Sequence, residues 1–360
     1  MIAKFRFARF GACCALLALF GGCATQHPAA PAAYTYFPPA PDEPRVQFLT
    51  SFSSGADLGG GSSFVDFITG KPAAPNALVK PYGLAVKDGK IYVCDTVANA
   101  VEVFDLVRKS SSYFAPRAEG RLLMPINITI DADGTRYVAD TGRNQVVIFD
   151  KNGNYLDAMG TKDEMKPCDA AITADRLYVA DLQGHAVRVY DKPARKLLFT
   201  IPRDPKAAEG RLFSPTNLAL DKQGHLLVSD LGGFAVQVYD LDGKYLRTIG
   251  QHGLAVGSFA RPKGVAADHS GLAYVVDAAT QVVQMFDGEG RLLMYFGQPG
   301  ASTRGELDLP AAVKVDYDNV GLFQKYVAPG RQCEYLILVT SQFGPQKVNV
   351  YGFLKKSGAP

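Results

Sequence analysis

Oxygen-bearing side chains recur at one position in three successive segments of the sequence. Asn127, Asp169 and Asn217 each stand two residues after a proline, in PIN, PCD and PTN. Carboxylate and amide oxygens are the ligands that a hard cation such as Ca²⁺ prefers. If the three segments lie side by side, these side chains could converge on one ion. The competing interpretation is structural, because Asn and Asp also cap the turn after a proline.

Histidine-based zinc chemistry is not predicted. The five histidines are spread along the chain: His225 and His269 lie in similar turns, whereas the others lie in the Pro- and Ala-rich segment (His27), after a YVxD segment (His185) and near residue 250 (His252). No three of them are expected to converge on one metal. The sequence also contains no GxSxG, HExxH or GxxxxGK[ST], and the glycine-rich segment 54–63 lacks the lysine of a phosphate-binding loop.

The elements that would position these side chains repeat along the chain. Five segments of the YVxD type recur every 41 to 49 residues and end at Asp95, Asp140, Asp181, Asp230 and Asp277. Ten residues after each comes a second aspartate behind an aromatic residue, and a proline with an apolar run precedes each unit. Four short strands per unit of about 45 residues are typical of a β-propeller blade.

A sixth unit is altered. It opens at Pro310, carries an insertion at 316–334 and has Ser341 in place of the aspartate. The chain ends before its fourth strand, whereas residues 45–52 (RVQFLTSF) have the pattern of a fourth strand. We therefore predict a six-bladed propeller over residues 45–354, in which 45–52 pairs with 347–354 and closes the last blade. Residues 355–360 are a tail.

The segment YVADTGRNQVVIFD, residues 137–150, resembles the NHL repeat, and the resemblance covers about residues 81–354. It implies an all-β, six-bladed propeller of NHL type. The YWTD blades of the low-density-lipoprotein-receptor type are a weaker match, because the PxG or PxN start fits NHL better. The repeated aspartate is then interpreted as structural, accepting backbone N–H groups in the turn that follows.

The NHL topology places the loops before the first strands and the turns between second and third strands on one face. The second and third residues of each proline unit would line the axial mouth: Tyr82-Gly83, Ile126-Asn127, Cys168-Asp169, Thr216-Asn217, Lys263-Gly264 and Ala311-Ala312. The outer rim would carry Arg143, Asn144, Gln183, His185, Phe234 and Gln281. Since several loops converge there, the predicted ligand-binding residues are Tyr82, Asn127, Asp169, Asn217, Lys263 and Arg143.

Two propeller enzyme classes bear on these residues. Gluconolactonase- and paraoxonase-type propellers hold a catalytic metal near the axis with Asn, Asp and Glu. The similarity of Asn127, Asp169 and Asn217 implies a Ca²⁺-dependent hydrolase or lactonase as the alternative function, although no Glu stands at an equivalent place. The peptidyl-hydroxyglycine amidating lyase, an NHL propeller, holds zinc with histidines, and the histidine positions here do not match it.

The N-terminus has the pattern of an export signal. Lys4, Arg6 and Arg9 precede an apolar stretch at 10–20, and LFGGC at 19–23 resembles the bacterial lipoprotein lipobox. The resemblance implies a signal peptide at 1–22 and an acylated (palmitate-bearing) Cys23, which would anchor the protein in a membrane. Ala24, rather than Asp, favours the outer membrane. An ordinary signal peptide with an incidental Cys is the alternative.

Residues 23–44 are rich in Pro and Ala and are predicted to be an unpacked tether. The formal charge is +3, and removal of Lys4, Arg6 and Arg9 (3 − 3) leaves about zero, too little to hold nucleic acid. Beyond Cys23, three cysteines far apart do not form a disulfide framework. The expected function is a monomeric, cofactor-free, non-catalytic binding or scaffold module for an envelope protein.

Overall fold

The computed structural model describes residues 34–59, 77–204 and 206–355. In this part of the chain, 25 strands form six antiparallel sheets, which are the six predicted blades. Blade 1 consists of β3 (Pro81–Lys87), β4 (Lys90–Asp95), β5 (Ala100–Asp105) and β6 (Ser110–Phe114). Blade 2 consists of β7 (Pro125–Ile130), β8 (Arg136–Asp140), β9 (Gln145–Phe149) and β10 (Tyr155–Met159). Blade 3 consists of β11 (Pro167–Ile172), β12 (Arg176–Asp181), β13 (Ala186–Asp191) and β14 (Leu197–Ile201).

The remaining blades follow the same order. Blade 4 consists of β15 (Pro215–Leu220), β16 (His225–Asp230), β17 (Ala235–Asp240) and β18 (Tyr245–Ile249). Blade 5 consists of β19 (Pro262–Ala267), β20 (Ala273–Asp277), β21 (Val282–Phe286) and β22 (Leu292–Phe296). Blade 6 consists of β23 (Pro310–Asp316), β24 (Cys333–Ser341), β25 (Val348–Leu354), β2 (Val46–Phe52) and β1 (Thr35–Phe37).

Burial follows the position of a strand in its blade. The second strands are buried on both faces, as in β12 and β16, because neighbouring blades pack against each other face to face. The fourth strands alternate between half-buried and exposed residues, as in β18 and β22, because they form the outer edge. This explains why apolar runs mark the inner strands in the sequence, whereas alternation marks only the outer ones.

The six first strands surround one axis. Each contacts the first strand of the next blade, and β23 of blade 6 contacts β3 of blade 1, so the ring is closed. The spacing between them is tight, because a Cβ on Gly264 would lie 2.6 Å from Cα of Ala312. An all-β, six-bladed propeller is therefore confirmed.

The two ends of the chain share blade 6. β2 pairs antiparallel with β25, in a register that runs from Val46 opposite Phe353 to Phe52 opposite Val348. The predicted pairing of residues 45–52 with 347–354 is therefore observed. Apolar side chains from both strands, such as Phe48 and Tyr351, lie in one core cluster, so the seam is packed as well as hydrogen-bonded.

The predicted tether is shorter than expected. Residues 35–37 form β1, which pairs with β2 as a fifth strand, and the Phe37 ring lies 6.1 Å from that of Tyr351. The expectation that all of 23–44 stays unpacked is wrong for this segment, because its three residues TYF have high strand propensity and an apolar ring to bury. Residues 1–33, 60–76 and 356–360, which include the predicted signal peptide and Cys23, lie outside the described residues.

The insertion in blade 6 packs back onto its own blade. It contains a short helix α1 (Val320–Phe323) and a 3-10 helix (Gln324–Tyr326); two more 3-10 helices are Gly55–Gly59 and Ala118–Gly120. Gln47 of β2 fixes the insertion by donating to the Tyr326 carbonyl at 2.8 Å and accepting from the Ala328 N–H at 3.1 Å. Among the described residues, no helix is long and apolar enough to cross a membrane.

Candidate functional site

The repeated aspartates tie together the loops of one face. Asp140 is fully buried, and its carboxylate accepts N–H groups of Leu123 at 2.7 Å and Met124 at 2.9 Å, in the loop before β7. It also accepts those of Gly142 and Arg143, both at 3.0 Å, in the turn after β8. The structural interpretation is confirmed. The sequence had pointed only to the bonds in the following turn, not to those in the preceding loop.

The same arrangement recurs in blades 1, 3, 4 and 5, through Asp95, Asp181, Asp230 and Asp277. In blade 6 the hydroxyl of Ser341 accepts the Asp308 N–H at 3.3 Å, a longer bond. The loops before the first strands and the turns between second and third strands thus form one face, called the top face below. The axial mouth opens on it.

The predicted axial residues are buried within the ring. Tyr82, Asn127, Asp169, Asn217 and Lys263 are between 1% and 8% exposed. They come from five consecutive blades, so the repeat brings side chains from distant parts of the sequence to one place. The mouth is therefore narrow.

The three proposed metal ligands make contacts within the protein. Asp169 accepts the N–H of Ala170 at 2.8 Å with one carboxylate oxygen and that of Leu218, in the next blade, at 2.9 Å with the other. Asn127 Oδ1 accepts the Ile128 N–H at 3.2 Å. The Oδ1 atom of Asn217 is buried and has no hydrogen-bond partner among the described residues.

The carboxylate of Asp169 lies in an unusual electrostatic environment. Burial raises its pKa to about 6, against the opposing effect of the Lys314 ammonium and of hydrogen bonds from Leu218, Ala170 and Asn217. In the part of the chain that the structure describes, no group of three or more His, Cys, Asp or Glu side chains could hold a metal ion. The Ca²⁺ site at Asn127, Asp169 and Asn217 stays a prediction.

Lys263 and Tyr82 meet across the mouth. Lys263 Nζ donates to the Tyr82 hydroxyl at 2.6 Å and lies 4.7 Å from the centre of its ring. Burial, together with the charges of Arg261 and Lys80, lowers the pKa of Lys263 to about 8. Burial also raises the pKa of the neighbouring Cys168 thiol to about 12, which keeps that thiol protonated. The sequence had placed both Tyr82 and Lys263 at the mouth, but not in contact.

Arg143 lies on the rim and is engaged by its own chain. Its guanidinium donates to the carbonyls of Glu119 at 2.6 Å and Arg121 at 2.8 Å, and to Gln145 Oε1 at 2.8 Å. These contacts fix the loop before blade 2. As a rim side chain, Arg143 therefore orders the top face in this structure.

Four of the predicted rim residues, Asn144, His185, Phe234 and Gln281, share a backbone conformation that the sequence analysis did not anticipate, whereas Gln183 does not. The last residue of the turn between second and third strands has a φ between 50° and 58° in five blades, at Asn99, Asn144, His185, Phe234 and Gln281. This left-handed region favours Gly and Asn. His185 and Phe234 hold it while making local contacts, His185 with the Phe213 carbonyl and Phe234 with the His252 ring at 4.2 Å.

Large apolar side chains are exposed on the top face. They lie in loops before the first strands or in turns after the second strands, and are between 44% and 75% exposed. We call this set the apolar ring; it comprises Val79, Val97, Leu123, Met124, Phe213, Leu254, Val256 and Phe343. Sequence analysis missed it, although an apolar residue one or two places before a first-strand proline was a usable signal.

Two cavities lie on opposite faces of the propeller. A cavity of about 520 Å³ lies on the top face between blades 3 and 4, where His185, Arg188 and Arg211 line it. A second of about 310 Å³ lies at the opposite mouth, beside Lys314 and the stacked rings of His269 and Tyr317. Arg188 is held by Asp181 at 2.7 Å, so part of the charge in the first cavity is neutralised.

No protein-family model matches the chain, and no curated protein matches it. Among solved structures, a protein of unknown function from Bacteroides thetaiotaomicron matches with a TM-score of 0.59 at 14% identity, covering 86% of this chain and 75% of that one. A catalytically inactive variant of virginiamycin B lyase from Staphylococcus aureus, with quinupristin, matches with a TM-score of 0.53 at 14% identity, covering 78% and 97%. A streptogramin B lyase matches with a TM-score of 0.53 at 12% identity, covering 77% and 94%.

Identities this low show a shared architecture, and architecture alone does not carry an activity. The similarity extends over nearly the whole length of both lyases, so it includes the ring of blades and not a single blade. The chain is a six-bladed β-propeller of the same architecture as these solved structures.

Proposed function

We propose that this protein is an NHL-repeat lipoprotein, anchored in the bacterial outer membrane through Cys23, whose propeller binds another envelope protein through its top face. The observation that carries the proposal is the apolar ring. Eight large apolar side chains exposed on one face form a patch of the kind that marks a protein-interaction surface, and the polar mouth that they surround offers groups for specific contacts. The outer edge formed by the fourth strands also exposes apolar side chains, such as Leu293 and Tyr295 on β22, but these lie on the edges of separate blades and do not surround a shared mouth.

The segment between Cys23 and β1 is short enough to keep the propeller near the membrane. Cys23 precedes Thr35, the first residue of β1, by 12 residues (35 − 23). A segment of that length spans at most about 40 Å when fully extended. The propeller would therefore be held close to the membrane and meet partners in the same envelope layer.

Photo-crosslinking in the native envelope tests the contact surface. A photoreactive residue replaces Met124 or Phe343, both in the apolar ring. We expect a crosslinked protein band from each, because these side chains would be buried against the partner. The matched control is Leu293 on β22, which is 53% exposed, close to the 46% of Met124. Equal crosslinking from Leu293, or none from both ring positions, would refute the proposal.

The same experiment with Cys23→Ser tests the anchor. Without an acylated cysteine, we expect the protein to leave the membrane fraction and the crosslinked band to weaken. Retention of the Cys23→Ser variant in the membrane fraction would show that lipid on this residue is not what holds it there.

The alternative function is a Ca²⁺-dependent hydrolase or lactonase, and the buried, unpartnered Oδ1 of Asn217 is the observation that favours it. Against it, Asp169 would be the one carboxylate of the ligand set, and Lys314 already interacts with it. Under the proposed binding function, we expect millimolar Ca²⁺ to leave the melting temperature unchanged. A rise for the wild type that is absent in Asp169→Asn would instead support the hydrolase, since a ligand stabilises the state that binds it.

A further inference from the structure

We propose that the axial mouth recognises a carboxylate on the partner, with Lys263 and Tyr82 as the residues that bind it. This inference rests on the proposed function, because the carboxylate belongs to a segment of the partner that docks on the top face. It adds the chemistry of recognition: a short acidic segment whose Asp or Glu side chain enters the mouth, flanked by apolar residues that contact the apolar ring.

Lys263 has unused hydrogen-bonding capacity. The residue is 7% exposed. Among the described residues, its ammonium donates a hydrogen bond to one acceptor, the Tyr82 hydroxyl. An ammonium carries three donors, so two remain. A buried charge is normally paired with an opposite charge. Here no carboxylate in the described part of the chain forms an ion pair with it, and an incoming anion would supply the missing partner.

Further basic residues surround the mouth. The residue directly before the first-strand proline is basic in alternate blades, at Lys80, Lys166 and Arg261. None of these side chains forms a salt bridge within the ranges that the structure describes; Lys80 lies 5.7 Å from the centre of the Phe343 ring. The three cations therefore raise the electrostatic potential at the entrance and attract an anion toward Lys263.

The acidic groups near the mouth are engaged elsewhere. Asp95 and Asp277 accept backbone N–H groups of the loops that contain Lys80 and Arg261. Asp169 bonds to the main chain of two blades. Their oxygens stabilise the ring, so they are not free to turn toward Lys263.

The narrowness of the mouth selects the occupant. The first strands approach to backbone contact at Gly83 and Gly264, so no element of a partner can insert between them, and only a single side chain can be presented to Lys263. A protein segment also explains the apolar ring, which a small free anion would not contact. An acidic peptide therefore fits both the centre and the periphery of the top face.

Binding should depend on the charge of Lys263. The pKa of free Lys263 is lowered to about 8 by burial and by Arg261 and Lys80. The ammonium is thus mostly charged at pH 7 and mostly neutral at pH 9. The other facing groups change little over this interval, because Cys168 and Tyr82 have raised pKa values and Asp169, with a pKa of about 6, is already ionised. Affinity for a carboxylate should fall by about tenfold between pH 7 and pH 9.

Calorimetric titration with synthetic probes tests the inference on the intact protein. The probes are a capped tetrapeptide with one Asp between two Leu residues, the same peptide with Asn, and sodium acetate. At pH 7 we expect the Asp peptide to bind at least tenfold more tightly than the Asn peptide or acetate. The difference between the two peptides should disappear in Lys263→Met, weaken in Tyr82→Phe, and persist in the control Lys222→Met, an exposed lysine on the opposite face.

Equal affinity for the Asp and Asn peptides, an unchanged preference in Lys263→Met, or acetate binding as tightly as the Asp peptide would each overturn the inference. Thermal unfolding of Lys263→Met checks that the ring is intact. The two ideas can fail separately. If crosslinking from Met124 persists in Lys263→Met and the two peptides bind equally well, the top face still docks a partner but the mouth does not bind a carboxylate. Absence of crosslinking from the wild-type ring removes the docking face itself.

Discussion

Replacing Asp140 by alanine is expected to lower the free energy of unfolding by about 4 kcal/mol. The fully buried carboxylate accepts four backbone N–H groups from two loops, at 2.7 to 3.0 Å. Each buried donor left unpaired costs on the order of 1–3 kcal/mol, and water can recover part of this in a loop. The measurement is denaturant unfolding of the wild type and of Asp140→Ala.

Asp150 offers a matched control in the same blade. It also accepts backbone N–H groups, those of Asn152 and Asn154, both at 2.8 Å, but in an exposed turn on the opposite face. We expect Asp150→Ala to be far less destabilising, because water replaces the carboxylate there. Equal losses for the two variants would show that the aspartates of the top face do not hold its loops.

Gly264→Ala is expected to destabilise the protein by about 3 kcal/mol. Its Cβ would lie 2.6 Å from Cα of Ala312 and 2.7 Å from the Val313 nitrogen, in the first strand of the next blade. These are backbone atoms within a closed ring, so they cannot move aside without disturbing neighbouring blades. Thermal or denaturant unfolding measures the loss.

Gly288→Ala is the control, because a Cβ there would meet no atom within 4 Å. Alanine usually stabilises a protein by about 0.4–1 kcal/mol at a site that accepts it, since it restricts the unfolded chain. A neutral or stabilising effect at Gly264 as well would mean that the first strands are farther apart than described.

The repetition in the sequence was sufficient to predict the blades. Each first strand begins at a proline, and a buried aspartate ends each of the second strands in blades 1–5, as the spacing indicated. The pairing of β2 with β25 could also be predicted from the sequence, because the last unit lacked a fourth strand and residues 45–52 had the pattern of one. These features are encoded locally, by residue types recurring at fixed distances.

Other features depend on three-dimensional closure and could not be predicted. The hydrogen bond of Lys263 with Tyr82 joins residues 181 positions apart, and its length depends on how the blades tilt around the axis. β1 was missed because its three residues are embedded in a Pro- and Ala-rich segment. Apolar residues before several first-strand prolines can be read from the sequence, but only the placement of six separate loops on one face shows that they form the apolar ring.

The functional proposals share one requirement, which is closure of the ring. Closure places Tyr82 of blade 1 and Lys263 of blade 5 at one mouth and collects the apolar ring around them. In an open arc of blades, β3 and β23 would not contact each other and would be exposed to solvent. Tyr82 and Lys263 would then lie far apart. The seam between β2 and β25 is where closure is completed.

Amide hydrogen exchange of the wild-type protein tests closure most directly. Residues 46–52 pair with β25, and β1 covers residues 46–48 on the other side, so the paired amides of this segment should exchange as slowly as those of residues 348–354. Both segments should be far more protected than the loop residues of the top face. Rapid exchange at 46–52, with slow exchange at 348–354, would contradict the closed ring and the shared site at its mouth.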